Sequence, residues 1–325
     1  MRCCSCRLGY CSGVIVIKNP VTAAILFSLF FAASASLAAE TPETTSVESP
    51  VADENARSQT IDGLKTEEKS TFEFGVAAAA LQVPAYPSSS VKNDRFFGAP
   101  WIIYRGDRLQ VKEGGVELKA FQSKKLIVDV GIGAALGSDA SDTPLRAGLP
   151  DLDFIFQLGP RFTVPLLDET VDGIRTRYNW ISTLRFAVST DFRSLDFQGP
   201  LATTELRFRK TGYKNNNLEF NASVGATWLG DQLMDYFFSV DPEFATPVRP
   251  AFDADAGFLS LELGAGVVYK PTPRLTTALV LGVTSHVGSG IDESPLFEDS
   301  ITTQVLLAAT YTIFQSKRKV RVLEE

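Results

Sequence analysis

Period-two alternation is the feature that most limits what this chain can fold into. Residues 301–314 read ITTQVLLAATYTIF, with Val305, Leu307, Ala309, Tyr311 and Ile313 on one face and Gln304, Thr310 and Thr312 on the other. A slip of one residue would exchange the two faces, so such a segment is written for a strand with two different surroundings. The pattern recurs at 154–164, 218–228, 259–269 and 275–286. In 218–228, Leu218, Phe220, Ala222, Val224, Ala226 and Trp228 oppose Glu219, Asn221, Ser223, Gly225 and Thr227. Weaker versions occupy 72–81, 96–104, 107–112, 116–121, 126–136, 180–192 and 201–209. Strand after strand with one apolar and one polar face is what a sheet between lipid and a polar lumen requires. The fold expectation is all-β: a transmembrane antiparallel up-and-down barrel of about 12 strands, with 10–12 as the range.

Composition supports this. The 325 residues carry a net charge of −7, which argues against a nucleic-acid partner. A mean hydropathy of +0.05 is too polar for several membrane helices but suits strands that touch lipid at alternate residues. Near the N-terminus, Lys18 precedes the apolar stretch 21–31 and the small-residue run AASASLAAE follows, so 1–39 is read as a cleaved signal peptide. Cys3, Cys4, Cys6 and Cys11 all lie upstream of that stretch and would leave with it. Residues 40–70 are rich in Thr, Ser, Glu and Pro, and are expected to be a disordered periplasmic leader. The barrel is expected over 71–314, with a basic tail at 315–325.

Connection lengths set the topology. The stretches 82–95, 137–153, 229–258 and 287–300 are long; 105–106, 122–125, 210–217 and 270–274 are short. Long outer loops alternating with short periplasmic turns are the mark of an outer-membrane barrel. The link 165–179 breaks that rule, being long where a short turn is expected. Tyr104, Trp180, Tyr269 and Tyr311 fall near the turn-end rim and Trp228 near the other, as interfacial aromatics should.

The polar residues give little support for chemistry. No Gly-rich phosphate loop and no metal-spaced His/Cys set follows the signal stretch, so no cofactor, metal or catalytic residue is assigned. The single histidine, His286, is in phase with inward positions and is read as a wet rim residue in an acidic loop with Asp292, Glu293 and Asp299. An outer-membrane hydrolase would rest on His286 alone. Asp139, Asp142, Asp151 and Asp153 are read as a solvated acidic loop, because their spacing lacks the Asp/Asn–Gly pattern of a calcium loop. Arg161, Arg185, Glu205, Arg207, Glu262 and His286 are the expected lumen-lining residues, in a mostly plugged or narrow lumen. In the tail, Lys317, Arg318, Lys319 and Arg321 are expected to be solvated, or to contact an acidic periplasmic partner.

An ordered set of short motifs adds a resemblance. Ala85-Tyr86-Pro87-Ser88-Ser89, Pro100-Trp101-Ile102-Ile103-Tyr104-Arg105, Asp235-Tyr236-Phe237-Phe238-Ser239-Val240 and Ser294-Pro295-Leu296 occur in this order. In order and spacing they resemble the MipA/OmpV family of MltA-interacting outer-membrane proteins, over roughly 72–314. The resemblance implies a non-enzymatic scaffold in the outer membrane of a Gram-negative bacterium. Such a scaffold sits among lipid and lipopolysaccharide and tethers a lytic transglycosylase and a peptidoglycan synthase. The OmpV side of the family implies the alternative of a narrow pore or surface binding protein. Two departures stand out: the family commonly has Gly where Ser88 sits, and barrel chains usually end at the terminal aromatic, whereas this chain continues past Phe314.

Overall fold

The computed structural model describes residues 66–106, 109–112 and 115–323. The expected signal peptide, the cysteines and the leader up to residue 65 lie outside the described residues. Among the described residues there are fourteen strands: β1 (Thr66–Ser70), β2 (Phe72–Pro84), β3 (Lys92–Arg105), β4 (Leu109–Lys112), β5 (Gly115–Gln122), β6 (Ile127–Ala135), β7 (Phe154–Val171), β8 (Ile174–Thr190), β9 (Asp196–Gly212), β10 (Leu218–Leu229), β11 (Gly257–Thr272), β12 (Leu275–Ser285), β13 (Ile301–Gln315) and β14 (Lys319–Leu323). β2 to β13 pair with their sequence neighbours into a closed antiparallel barrel of twelve strands, sealed where β13 meets β2. Each of the twelve alternating segments of the sequence is one of these strands.

Alternation places the two faces as the sequence requires. Leu158, Phe162, Leu184, Leu206, Leu261, Leu263, Leu279, Leu281, Val305 and Leu307 stand exposed on the outside, forming the lipid-facing belt. Tyr104, Trp180, Tyr269 and Tyr311 are exposed at one rim and Trp228 at the other. Facing inward are the small and polar positions, among them Gly225 opposite Glu262 and Gly282 opposite Gln304.

Closure corrects three expectations. The residues 165–179 are not a loop. β7 and β8 continue past the barrel as a hairpin closed by Asp172 and Gly173, both left-handed at φ 51° and 78°. Asp-Gly is the strongest short signal for such a tight turn, and it explains a length that spacing alone left unexplained. β9 extends alongside, so three strands project from the turn end of the barrel.

The leader and the tail are corrected together. β1, expected to be disordered, pairs with β14, expected to be a solvated tail, with Glu68 opposite Arg321 and Ser70 opposite Lys319. Sealing β13 onto β2 brings the two flanks side by side: the Thr71 amide donates to the Arg318 carbonyl at 2.9 Å and the Ser316 amide to the Phe72 carbonyl at 2.9 Å. Their pairing therefore carries little loop-closure entropy, a saving invisible when each segment is read alone. Phe314, in contact with Phe72 at 6.3 Å, ends the barrel wall but not the chain.

Candidate functional site

The apolar core lies at the loop end of the barrel. Ile155, Ala187, Leu201, Leu229 and Leu259 point inward from the last turns of their strands. Ala85, Tyr86, Leu152, Leu233, Met234, Phe238, Ala254 and Ile291, brought by four loops, pack onto them. A short helix, α1 (Asp231–Phe238), supplies Leu233, Met234 and Phe238, each 2% exposed or less. The loops thus form a cap seated in the mouth. The sequence signal was present but unused: DQLMDYFFSV is too apolar for a solvated loop, and apolar runs of that kind are buried or functional.

Polar contacts stitch the loops together. Tyr86 Oη donates to the Leu296 carbonyl at 2.6 Å and lies 2.8 Å from a Glu298 carboxylate oxygen. Ser294 Oγ donates to the Phe238 carbonyl at 2.7 Å, and the Asp153 amide donates to Tyr236 Oη. Arg146 and Arg249, both buried, were not singled out in the sequence. Arg146 donates to the Phe237 carbonyl at 2.9 Å and Arg249 to the carbonyls of Leu145, Ala147 and Phe244 at 2.8, 3.0 and 3.0 Å. A guanidinium with five donors can bridge several loop carbonyls at once, which a lysine cannot. Burial pushes the Tyr236 phenol up to about 12 and holds Arg146 below its ordinary range. The motif residues Tyr86, Pro87, Tyr236, Ser294, Pro295 and Leu296 all belong to cap loops, so most of the short motifs singled out in the sequence meet in the cap. Tyr104 and Arg105 sit at the opposite end, where Arg105 pairs with Glu73.

His286 is a correction. It is 1% exposed and no wet rim residue. Its Nε2 accepts from the Ser88 amide at 3.2 Å, which puts the proton on Nδ1, 3.1 Å from the Leu259 carbonyl. Ser88 itself is left-handed at φ 67°, and its carbonyl accepts from the Asp299 amide at 2.8 Å. The first and last outer loops are therefore latched through one neutral imidazole. Asp151 is tied to its own loop by accepting from the Ala140 amide at 2.7 Å. Among the described residues no three His, Cys, Asp or Glu side chains gather at metal-ligand spacing.

Below the cap the lumen wall is ionic. Arg161 pairs with Asp129 at 2.9 Å, Arg207 with Glu205 at 2.8 Å and Arg209 with Glu219 at 2.7 Å. Glu262 accepts from Thr227 at 2.6 Å and Ser260 at 2.9 Å, and Arg185 reaches the Gln157 amide oxygen at 3.4 Å. Lys317 and Arg318 are exposed beside the ribbon of β1 and β14, and Lys319 is exposed at the start of β14.

A lipid-facing belt, an ion-paired lumen and a loop cap define a membrane-spanning β-barrel with one closed mouth. Residues 76–313 match the family described as MltA-interacting protein MipA. The chain belongs to that family and is an outer-membrane β-barrel protein. Its short-turn end accordingly faces the periplasm and its capped end the exterior. A search of curated proteins finds no match. Among solved structures, the COG4313 outer membrane channel from Pseudomonas putida F1 is similar at 11% identity and TM-score 0.41, covering 78% of this chain and 98% of that one. The NanC porin is similar at 6% identity and TM-score 0.34, covering 73% and 98%. Pseudomonas putida OprB is similar at 9% identity and TM-score 0.34, covering 75% and 94%. These are distant likenesses.

Two predictions follow from the latch. Ser88 is strained by about 1 kcal/mol in the left-handed region, and its buried hydroxyl has no partner. Ser88→Gly should stabilise the cap by about 1 kcal/mol, net of the extra freedom glycine gains when unfolded. Resistance of 286–300 to proteolysis in urea would report it, and a cap no more resistant than wild type would contradict it. Burial also lowers the His286 pKa from 6.5, against weaker opposing pulls from Leu259 and Glu262. An opened cap then binds the proton more readily, so the latch is strongest above about pH 6.5 and weakens as pH falls toward the lowered value. Cleavage of 286–300 should rise on acidification in wild type and lose that dependence in His286→Asn; a flat wild-type profile from pH 8 to 5 would contradict it.

Proposed function

We propose that this barrel is a non-enzymatic scaffold in the outer membrane of a Gram-negative cell, holding a lytic transglycosylase and a peptidoglycan synthase at its periplasmic face. The observation that carries the reading is the asymmetry of the two ends. The outer mouth is filled by packed apolar loops, while the periplasmic end extends beyond the wall as the β7–β8–β9 projection and the β1–β14 ribbon. A barrel of this shape offers protein-binding surface inward and no open axial path outward. The family's description as MltA-interacting supports a murein hydrolase as one partner. The basic residues Lys317, Arg318, Lys319 and Arg321, beside the ribbon or within β14, are the proposed contact for an acidic partner surface.

The narrow-pore alternative draws on the arginine-bearing lumen but needs the cap to move. The hydrolase alternative loses its footing, because His286 is sealed between backbone groups with no approach for substrate. Crosslinking in membranes followed by co-purification tests the scaffold. The intact protein should recover both murein enzymes. Deleting 317–325, or trimming the β7–β8 projection, should lower recovery of one of them by about tenfold while the barrel still assembles. Recovery of no murein enzyme by the intact protein would overturn the reading.

A further inference from the structure

On the cap, three segments leave a half-open groove of about 780 Å³ between them. They are the β6–β7 loop at 146–152, the start of β9 at Phe197 and Gln198, and the β10–β11 loop from Gln232 to Asp253. That volume lies within the range of about 300–1,000 Å³ that small-molecule sites occupy. The side of α1 opposite its buried Leu233, Met234 and Phe238 supplies Gln232, Asp235 and Ser239, so the groove is on the outer side of the cap. Its floor is firm and apolar, because the buried Leu149 and Val240 pack with Leu296 into a small core of their own. Four rings stand around it: Phe197, Tyr236, Phe244 and Phe252. Phe197 is 55% exposed and is held in place by Phe186, the ring centres 6.2 Å apart.

The polar groups between the rings are of both hydrogen-bonding kinds. Asp151 and Asp235 are each fixed through one oxygen, by the Ala140 amide at 2.7 Å and by Ser239 Oγ at 2.8 Å, which leaves the second oxygen to a ligand. Among the described residues the side chains of Asp241, Asp253 and Gln232, all exposed, have no hydrogen-bond partner. Gln198 donates to Ser189 Oγ at 2.9 Å and keeps its amide oxygen. Arg146 lies at the base, 4% exposed; its Nη groups serve the Phe237 and Pro150 carbonyls, and its Nε has no acceptor. This lining excludes most classes of ligand. An anion would meet four carboxylates, and among the described residues no three of them gather at the spacing a metal ion needs. An oligoamine suits the carboxylates but brings no acceptor for the Gln232 amide or the Arg146 Nε. A wholly apolar molecule would strand every polar group it covers. A hydroxyl donates and accepts, and its bond to a carboxylate is charge-assisted. A sugar ring carries several hydroxyls and turns a face of C–H groups to an aromatic ring, whose own face is negative.

We propose that the groove binds an uncharged saccharide at the cell surface. Its hydroxyls bond to Asp241, Asp253 and the Gln232 amide, and a C–H face of one sugar lies on the aromatic wall. A hydroxyl at the base, directly or through one water, gives the Arg146 Nε its acceptor. The ligand reaches the site with the cap closed, since the groove lies on the side of α1 away from the mouth. The site is separate from the periplasmic tethering surfaces, so either can fail without the other.

An array of uncharged mono- to hexasaccharides, with amino and anionic sugars alongside, tests it when probed with the labelled full barrel in a polyoxyethylene detergent, which has no sugar head. Calorimetry on the best uncharged ligand should give a Kd of about 1 mM or tighter. That affinity should change by less than about twofold between about 0.1 and 1 M salt, because the ligand brings no charge. Asp241→Ala/Asp253→Ala and Gln232→Ala should each weaken it by about tenfold. Phe197→Ala should weaken it too, and Asp292→Ala, at an exposed carboxylate of another outer loop, should leave it unchanged. Heat-modifiable mobility checks that each variant is folded, and the wild-type array result stands without any variant. An array on which no uncharged saccharide binds, or only amino or anionic sugars do, would overturn the proposal. Displacement of the saccharide by millimolar spermidine or calcium, or an affinity untouched by the aspartate and glutamine variants, would overturn it as well.

Discussion

Everything in this structure follows from one constraint: in hydrocarbon a backbone N–H or C=O has no partner except another backbone group. A sheet meets that demand only by closing, and closure of β13 onto β2 does so for most of the wall. The alternating sequence then decides which face meets lipid. Closure also sets what happens beyond the wall. It brings the two ends of the chain together, and the β1–β14 ribbon grows from that junction.

The lumen and the cap answer a second demand, that of filling the inside. A barrel of twelve strands is wider than its inward side chains can fill with hydrocarbon packing. Across the wall, ion pairs such as Arg161–Asp129 and Arg209–Glu219 hold the inward charges at 2.9 and 2.7 Å. At the outer mouth the solution is different. Loop side chains from α1 and its neighbours form a small apolar core, and Arg146 and Arg249 are spent on loop carbonyls. The cap is therefore a folded unit with its own core, and its first and last loops are joined by the Tyr86–Leu296 and Asp299–Ser88 hydrogen bonds as well as by the neutral His286.

Much of this was legible in the sequence, and the rest was hidden for identifiable reasons. Strand existence and facing were legible because period-two alternation in 218–228 or 301–314 has one structural meaning. The projection of β7 and β8 was missed because Leu166, Leu167, Asp168 and Glu169 break the alternation on β7 and the buried face of β8 carries Arg175 and Arg177; only Asp172-Gly173 marked the turn. The ribbon was missed because each partner is polar and short, and its pairing depends on closure elsewhere. His286 was placed on the correct side of its strand, yet its burial comes from Ser88, 198 residues away, a contact no local pattern encodes. The motif residues were recognised as a set, and only folding shows that most of them meet in the cap.

The central claim is that the loop cap closes the outer mouth of an otherwise polar lumen. Planar-bilayer recording of the purified barrel at neutral pH tests it most directly, with a companion variant in which a short Gly-Ser link replaces α1. The intact protein should show no steady conductance, and the variant lacking Leu233, Met234 and Phe238 should show discrete open steps. Stable open steps of the same size in both proteins would contradict a closed mouth.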